Sequence, residues 1–379
     1  MKRRKLAETV FTDLLASLSG GRWRPGMTMA PTRQLAQELA VSPLTVMAAL
    51  RLAARHRLLE VRQRQPTIVL PGAQQRAARL LRTRTTTKRL ALLVPERFIP
   101  LKRHVELAEL IRLVATESAA RGIRTTVVKW PLLNQAGFVR TFVTRGFGVA
   151  FALGVNSEHL VSLDMLRRHG VPVLVFNRKS PLVDLPTVRI DEHAAAWRIG
   201  ETLASLGHRN LCLVSSAVSY HMGYLSGEHR RVTGWVEFLR HSGLQRSCSL
   251  PVYYAANEML PDVLDVPFRL RSRPTAIVFG GVGLAALFLR DPRFADLRVP
   301  DEISLATFDS FKGRQVATWC PPLTEIVGDM KRVAQCAVEL IDSMFGAGST
   351  PLSIRIPMDI HLTGSIGPPR RVSAENTST

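Results

Sequence analysis

The sequence predicts an α/β protein in two parts: a small N-terminal helical unit closed by a hairpin, and a larger body built on parallel sheets. From residue 89 onward, apolar runs of strand length alternate with amphipathic helical segments, the pattern of parallel sheets covered by helices on both faces. Before residue 70, three short helical patterns precede two brief apolar runs. Charge separates the two parts as well. The 51 Lys and Arg and 30 Asp and Glu give a net charge of +21, and residues 1–89 hold 18 and 4 of them, a net of +14. A length of 379 residues exceeds one ordinary core, and 46% hydrophobic with 21% charged residues is the composition of a globular chain.

Several function classes lose support at once. Glu8 and Asp13 interrupt the first apolar stretch, so no secretory leader is expected, and no run approaches the roughly 20 apolar residues of a membrane span. Cys212, Cys248, Cys320 and Cys336 are far apart, without a CxxC pair or a His at ligand spacing. Neither a disulfide framework nor a metal site is expected, nor any cofactor or membrane association. The chain reads as cytoplasmic. The basic N-terminal excess suits nucleic acid if a folded reader accompanies it.

Such a reader is legible. Leu6, Val10, Leu14, Leu15 and Leu18 have helical spacing, and Gly20-Gly21 ends that helix. Trp23, Pro25 and Gly26 form a turn, and a second helix fits 31–40. Ser42 is placed to cap a third helix that has Pro43 at its first position and Val46, Ala49, Leu50 and Ala53 facing inward. Two short helices joined through Ala40-Val41 make a helix-turn-helix. The runs 58–61 and 67–70 flank a basic tip with Arg62 and Arg64, a wing.

Segment 22–70 resembles the winged helix-turn-helix of the GntR family through Pro25-Gly26, Pro31-Thr32-Arg33-Gln34-Leu35-Ala36, Val41-Ser42, Thr45-Val46 and Ala49-Leu50. The resemblance implies that Arg33 and the third helix contact double-stranded DNA while the wing tip enters the minor groove. Ser42, Leu44, Thr45, Met47 and Arg51 are the candidate contacts on that helix, with Thr45 expected on its exposed face, and Arg62 and Arg64 those on the wing. The chain departs from the family where Pro43 and Met47 replace arginines, and where Gln65 and Pro66 replace the wing glycines. Apolar contacts to thymine methyls and phosphate contacts from the basic residues are the expected substitutes.

Residues 71–89 hold six Lys or Arg and no acid, and read as an interdomain linker with room for a short helix at 73–82. The domain boundaries expected are a reader at 1–70, a basic linker at 71–88, a two-lobed sensor at 89–365 and a disordered tail at 366–379. In the sensor, strands fit 89–94, 124–129, 148–153, 172–176, 210–214, 250–254, 275–279 and 303–308. Helices fit 104–121, 158–169, 192–206, 229–242, 282–289 and 328–345. Two sheets with the chain crossing between them imply a cleft at the strand C-terminal ends.

Segments 171–178, 186–209, 231–235, 274–285, 299–311 and 321–327 resemble, in order and spacing, the periplasmic-binding-protein-like effector domain of the LacI/GalR family. The combined arrangement resembles arabinose-responsive repressors. It implies a small-molecule effector, a sugar or sugar derivative, and a homodimer. Asn177 and Arg178 end a strand at the cleft, Arg231 matches the family arginine on a ligand oxygen, and Asp309 matches the acid that accepts from ligand hydroxyls. Phe98 either stacks on a ligand ring or joins the core, and Asp191, His208 and Arg209 read as a helix cap and turn residues. Gly281-Val282 stands where the family has Asn-Asp, so either the ligand is not a simple sugar or the domain has lost it. Gly281 instead offers backbone N–H groups at a helix start.

No spacing supports a catalytic triad, zinc site, Walker loop or paired carboxylates, so an enzyme is not expected. A solute-binding protein is the closer rival, because the sensor fold is shared, and a sensor that only dimerises is a third reading.

Overall fold

The computed structural model describes residues 2–62, 65–84, 88–178, 184–216, 227–255, 266–270, 272–312, 316–346 and 353–370. The chain forms two compact units, Met1–Val188 with Val333–Ile354, and Arg189–Arg332 with Arg355–Thr379.

The first unit opens with the reader. Helices α1 (Lys2–Ser19), α2 (Thr32–Glu38) and α3 (Pro43–Arg55) form around one apolar cluster, and α2 meets α3 at a bend of 108°. Ser42 caps α3 as expected: its Oγ accepts the Thr45 N–H at 3.2 Å, with Pro43 at the first helical position. Strands β1 (Leu59–Glu60) and β2 (Ile68–Val69) pair antiparallel, Leu59 opposite Val69, and make the wing. Arg64 lies outside the described residues. The stretch expected as a linker carries the helix expected at 73–82, α4 (Ala73–Arg84), but it is packed rather than a solvated spacer. Its Ala73 and Ala77 are buried in the same cluster as Phe11, Leu15, Leu50 and Leu58. Four apolar positions spaced along a charged helix are enough to add it to that core.

The same unit carries most of the first α/β sheet, made of β3 (Lys88–Pro95), β4 (Ile123–Trp130), β5 (Val149–Ala152), β6 (Val173–Phe176), β7 (Thr187–Ile190) and β13 (Ser353–Ile356). Its order is β13-β7-β6-β5-β3-β4, and the pairs from β4 through to β7 are parallel. Helices α5 (Val105–Ala120), α6 (Gln135–Thr144) and α7 (Leu160–Arg168) make the crossovers, as parallel strands require. The sequence pattern missed α6; its cap, Asn134, sits in the left-handed region and accepts the Gly137 N–H at 3.1 Å.

The second unit repeats the plan. Strands β8 (Leu211–Ser216), β9 (Val252–Ala255), β10 (Ala276–Phe279), β11 (Ser304–Phe308), β12 (Thr324–Gly328) and β14 (Met358–His361) run in the order β14-β12-β11-β10-β8-β9. All described pairs are parallel except β12 with β14. Helices α8 (Glu192–Ser205), α9 (Gly227–His241) and α10 (Val282–Arg290) belong here, while α11 (Met330–Phe345) leads back to the first unit, where Asp342 pairs with Lys88. The tail expected from residue 366 starts as packed chain. The Gly367 carbonyl accepts from His208 Nε2 at 2.8 Å and from Ser304 Oγ at 3.0 Å, and residues 371–379 lie outside the described residues.

Two predictions test this packing. A Cβ on Gly234 of α9 would lie 2.2 Å from the His193 carbonyl, whereas one on Gly283 of α10 would meet nothing within 4 Å. Gly234→Ala is expected to cost about 1–3 kcal/mol by calorimetric unfolding, while Gly283→Ala is neutral or stabilising by up to about 1 kcal/mol. In the first unit, His159 is 1% exposed against Trp130, and burial, reinforced by Arg97, pushes its pKa down to about 4. Below pH 6.5 the unfolded chain takes up a proton that the folded chain refuses until about pH 4. Stability therefore falls through that window, by up to about 3 kcal/mol. Urea midpoints of His159→Gln across the same window should show a correspondingly shallower acid limb.

Candidate DNA interface and effector-binding groups

Helix α3 presents an outward face of Leu44, Met47, Ala48, Arg51 and Arg55, positions separated by three or four residues. Leu44 is 61% exposed, unusual for a leucine beside two arginines. Leu44, Ala48, Arg51 and Arg55, together with Thr45 and Leu52 and with Ala7 and Glu8 of α1, border an open groove of about 540 Å³. Arg33 is exposed in the first turn of α2, and Ser42 is exposed at the α3 start. Arg62 is exposed on the wing, where its Nε donates to Glu60 Oε1 at 2.8 Å. A surface pair of this kind is weak and leaves the guanidinium open to exchange for a phosphate.

Thr45 corrects the sequence reading. It was expected on the exposed face, but it is 4% exposed and its hydroxyl lies 2.8 Å from Ser42 Oγ. The reason is helical phase: Thr45, Ala49 and Ala53 are four residues apart, so Thr45 shares the core-facing side. It braces the cap rather than facing solvent.

In the first sheet the chain steps from β3 outward to β4 and then back across to β5, so the order reverses between β3 and β5. Loops beyond the carboxyl ends diverge at such a point and leave room for a ligand. Phe98 follows β3 there and is half-buried, with its ring edge-on to His104 at 4.9 Å and the Arg97 guanidinium 4.5 Å above it. Beneath it lies Gly154, at φ +57°, where a Cβ would come within 2.4 Å of the ring. Arg97 donates to the Gly154 carbonyl at 2.8 Å and to Asn156 Oδ1 at 2.7 Å, and Arg178 Nε donates to the Val155 carbonyl at 3.1 Å. Asn177 ends β6 in the left-handed region at φ 52°. Phe98, Asn177 and Arg178 are thus gathered around the loop that follows β5, and Phe98 is not in the core.

The second sheet reverses between β8 and β10, and the other three candidates meet there. Arg231 of α9 forks onto Asp309, Nη2 to Oδ1 at 3.1 Å and Nη1 to Oδ2 at 3.3 Å, and also donates to the Gly280 carbonyl. Its guanidinium lies 4.6 Å from the Phe308 ring centroid. Burial opposes the charge, but Asp309, Glu192 and Glu228 together hold the pKa above the ordinary arginine value. Gly281 sits beside the pair; a Cβ there would be 3.5 Å from Asp309 Oδ2. Asp309 itself follows β11 at φ 68°. The donor fork and the acceptor carboxylate are thus aligned on one another, a pairing that a carboxylate or phosphate could enter only by exchange.

Sequence reasoning missed the support behind this pair. Glu192, 1% exposed, accepts from Arg230 Nε at 2.9 Å and Nη2 at 2.7 Å. Glu228 accepts from the Ser216 N–H at 2.8 Å and Ser215 Oγ at 3.3 Å. The adjacent arginines 230 and 231 beside Glu228 were the available signal. Among the described residues, no cluster of His, Cys, Asp and Glu could hold a metal ion, and no single helix is long and apolar enough to cross a membrane.

Comparison with known proteins agrees with this geometry. Residues 6–69 match the model of bacterial regulatory proteins of the gntR family, and residues 201–366 match a periplasmic binding protein-like domain. The HTH-type transcriptional regulator DegA of Bacillus subtilis is 26% identical over 193 residues, 49% of this chain, and the chain spans only 53% of that protein's length. A probable opine utilization operon repressor of Rhizobium rhizogenes is 31% identical over 166 residues, 43% of this chain and 83% of that protein. The arabinose metabolism transcriptional repressor of Geobacillus stearothermophilus is 27% identical over 161 residues, 41% of this chain and 42% of that one. In fold, the sensor is similar to a putative transcriptional regulator from Yersinia pestis, with a TM-score of 0.62 at 20% identity over 75% of this chain and 99% of that one. These relatives are regulators rather than enzymes. The chain belongs to the family of bacterial transcriptional regulators that join a gntR-type winged helix-turn-helix to a periplasmic-binding-protein-like domain.

Proposed function

We propose that the protein is a ligand-responsive repressor that acts as a homodimer on a pseudo-palindromic operator and senses a small polar effector of sugar type bearing an acid group. The observation that carries this reading is the grouping of arginines at the carboxyl ends of both sheets, Arg97 and Arg178 in one and Arg230 and Arg231 in the other, each already engaged in directed hydrogen bonds. Guanidinium forks match carboxylates and phosphates better than plain hydroxyls. The names of the opine and arabinose relatives support the same class, a polar metabolite with sugar or acid character. On the reader, Arg33, Arg51 and Arg62 serve phosphates, and Leu44 and Met47 serve thymine methyls.

A second reading, a sensor without a ligand, is favoured by one feature. Both Nη groups of Arg231 already hold Asp309 while the buried Nε has no partner among the described residues, so a ligand that takes the place of Asp309 must displace a formed pair. A thermal-shift screen of sugars, sugar acids and phosphosugars separates the two. An acid-bearing hit whose shift disappears in Arg231→Lys supports the proposal, and a screen without any hit supports the second reading.

The DNA-binding part has its own test. Selection from random duplexes should enrich a two-fold motif, and failure to enrich any motif would sink the repressor reading. Arg33→Ala should weaken all sites alike and flatten the log–log salt dependence by about 0.9. Leu44→Ala should instead relax preference at thymine positions.

A further inference from the structure

Helix α1 ends with its last carbonyls in need of donors, as every helix does. The carbonyls of Ala16, Ser17 and Leu18 are served within the reader by the N–H groups of Gly20, Arg22 and Gly21. The next one, on the buried Ser19, is met both from α4 and from the α/β part. His169 Nδ1, in the turn after α7 of the α/β part, lies 2.8 Å from the Ser19 carbonyl. Gln74 Nε2 of α4 donates to the same carbonyl at 3.2 Å and lies 2.7 Å from His169 Nδ1. Next to it, Gly170 at φ +71° lets α4 come close; a Cβ there would be 3.0 Å from Ala78 Cβ and 3.6 Å from the Gln75 carbonyl. Ala78 and Leu81 of α4 close on Val143, Phe147 and Val171, leaving a void of about 20 Å³, room for about one water.

We propose that the turns at Gly146–Phe147 and His169–Gly170 form a seat for this chain's own reader, so that the winged helix is docked on the first sheet rather than hanging from a free linker. The seat's position gives it a consequence. Phe147 leads into β5 and Gly170 into β6, and the far ends of those strands carry Gly154–Asn156 and Arg178. Two four-residue strands therefore connect the reader's seat to the effector-binding group of the first unit. This regulatory consequence rests on the roles proposed above, whereas the docked pose does not.

Pulsed dipolar spectroscopy on the full chain tests the pose without DNA or effector. Spin labels on Gln37→Cys and Val161→Cys report the reader and the first sheet, both sites being exposed while the four native cysteines are buried. With the doubly labelled chain diluted into an excess of unlabelled chain, so that a dimer holds one labelled copy, a single narrow distance is expected. Ala78→Glu, outside the reader's own core cluster, should abolish it with the helical circular dichroism retained. Gln74→Ala with His169→Ala removes only the hydrogen bonds and should broaden the same distance. A broad distribution in the unsubstituted chain, or a narrow one unchanged in both variants, overturns the proposal.

Discussion

A guanidinium taken out of water must keep a carboxylate beside it, and the second unit is arranged around two such obligations. Arg231 lies against Asp309 and Arg230 against Glu192, with side-chain exposures of 12% and 15% for the two arginines. The pairs tie the start of α8, the first turns of α9 and the loop after β11 into one cluster. Small residues follow from this crowding. A Cβ on Gly227 would sit 2.4 Å from Glu192 Oε1, and one on Gly280 3.4 Å from Glu228 Oε1. The position where the family resemblance led to the expectation of an asparagine is taken here by Gly281, beside a closed ion pair. Removing either partner strands a buried charge, while an acid-bearing ligand can replace one carboxylate by another at little electrostatic cost. Such an exchange favours anions over neutral polyols.

The pattern along the chain foretold a good deal of this. Every strand expected in the sensor is present within a few residues; the central ones are near-continuous apolar runs, and the edge strands β4 and β9 keep short β-branched or aromatic runs. Ser42 with Pro43 announced the start of α3 through chemistry confined to four residues. The omissions share a different cause. Strands β7, β12, β13 and β14 carry polar residues such as Arg189, Glu325, Arg355 and Asp359, so they lack the apolar run. Thr45 was misplaced by one helical position, and the helix expected at 73–82 was assigned to a linker because its composition is basic, although its alanines are spaced to pack on the reader's core. Arg231 and Asp309 were each singled out, yet that they bind one another depends on residues 78 apart in sequence, which no local pattern records.

The strength required of the reader's seat is modest. Its hydrogen bonds contribute about 0.5–1.5 kcal/mol each, and the apolar contact of Ala78 and Leu81 with Val143, Phe147 and Val171 adds about 1–3 kcal/mol more. Two separate molecules would scarcely associate through so small a patch. Here, however, α4 belongs to the reader's core and ends at Arg84, while β3 begins at Lys88. Four peptide steps span at most about 14 Å, so the reader is confined to a small volume around its seat. Confinement of that order raises the effective concentration to the millimolar range, at which a contact worth more than about 4 kcal/mol stays closed. The same modest strength keeps the contact reversible. Allosteric coupling is commonly about 1–3 kcal/mol, and a seat of comparable size can be opened or tightened by a shift of β5 and β6 that a ligand at their carboxyl ends could drive. A much larger interface would fix the reader irrespective of the sensor, and none at all would leave the sensor without leverage on it.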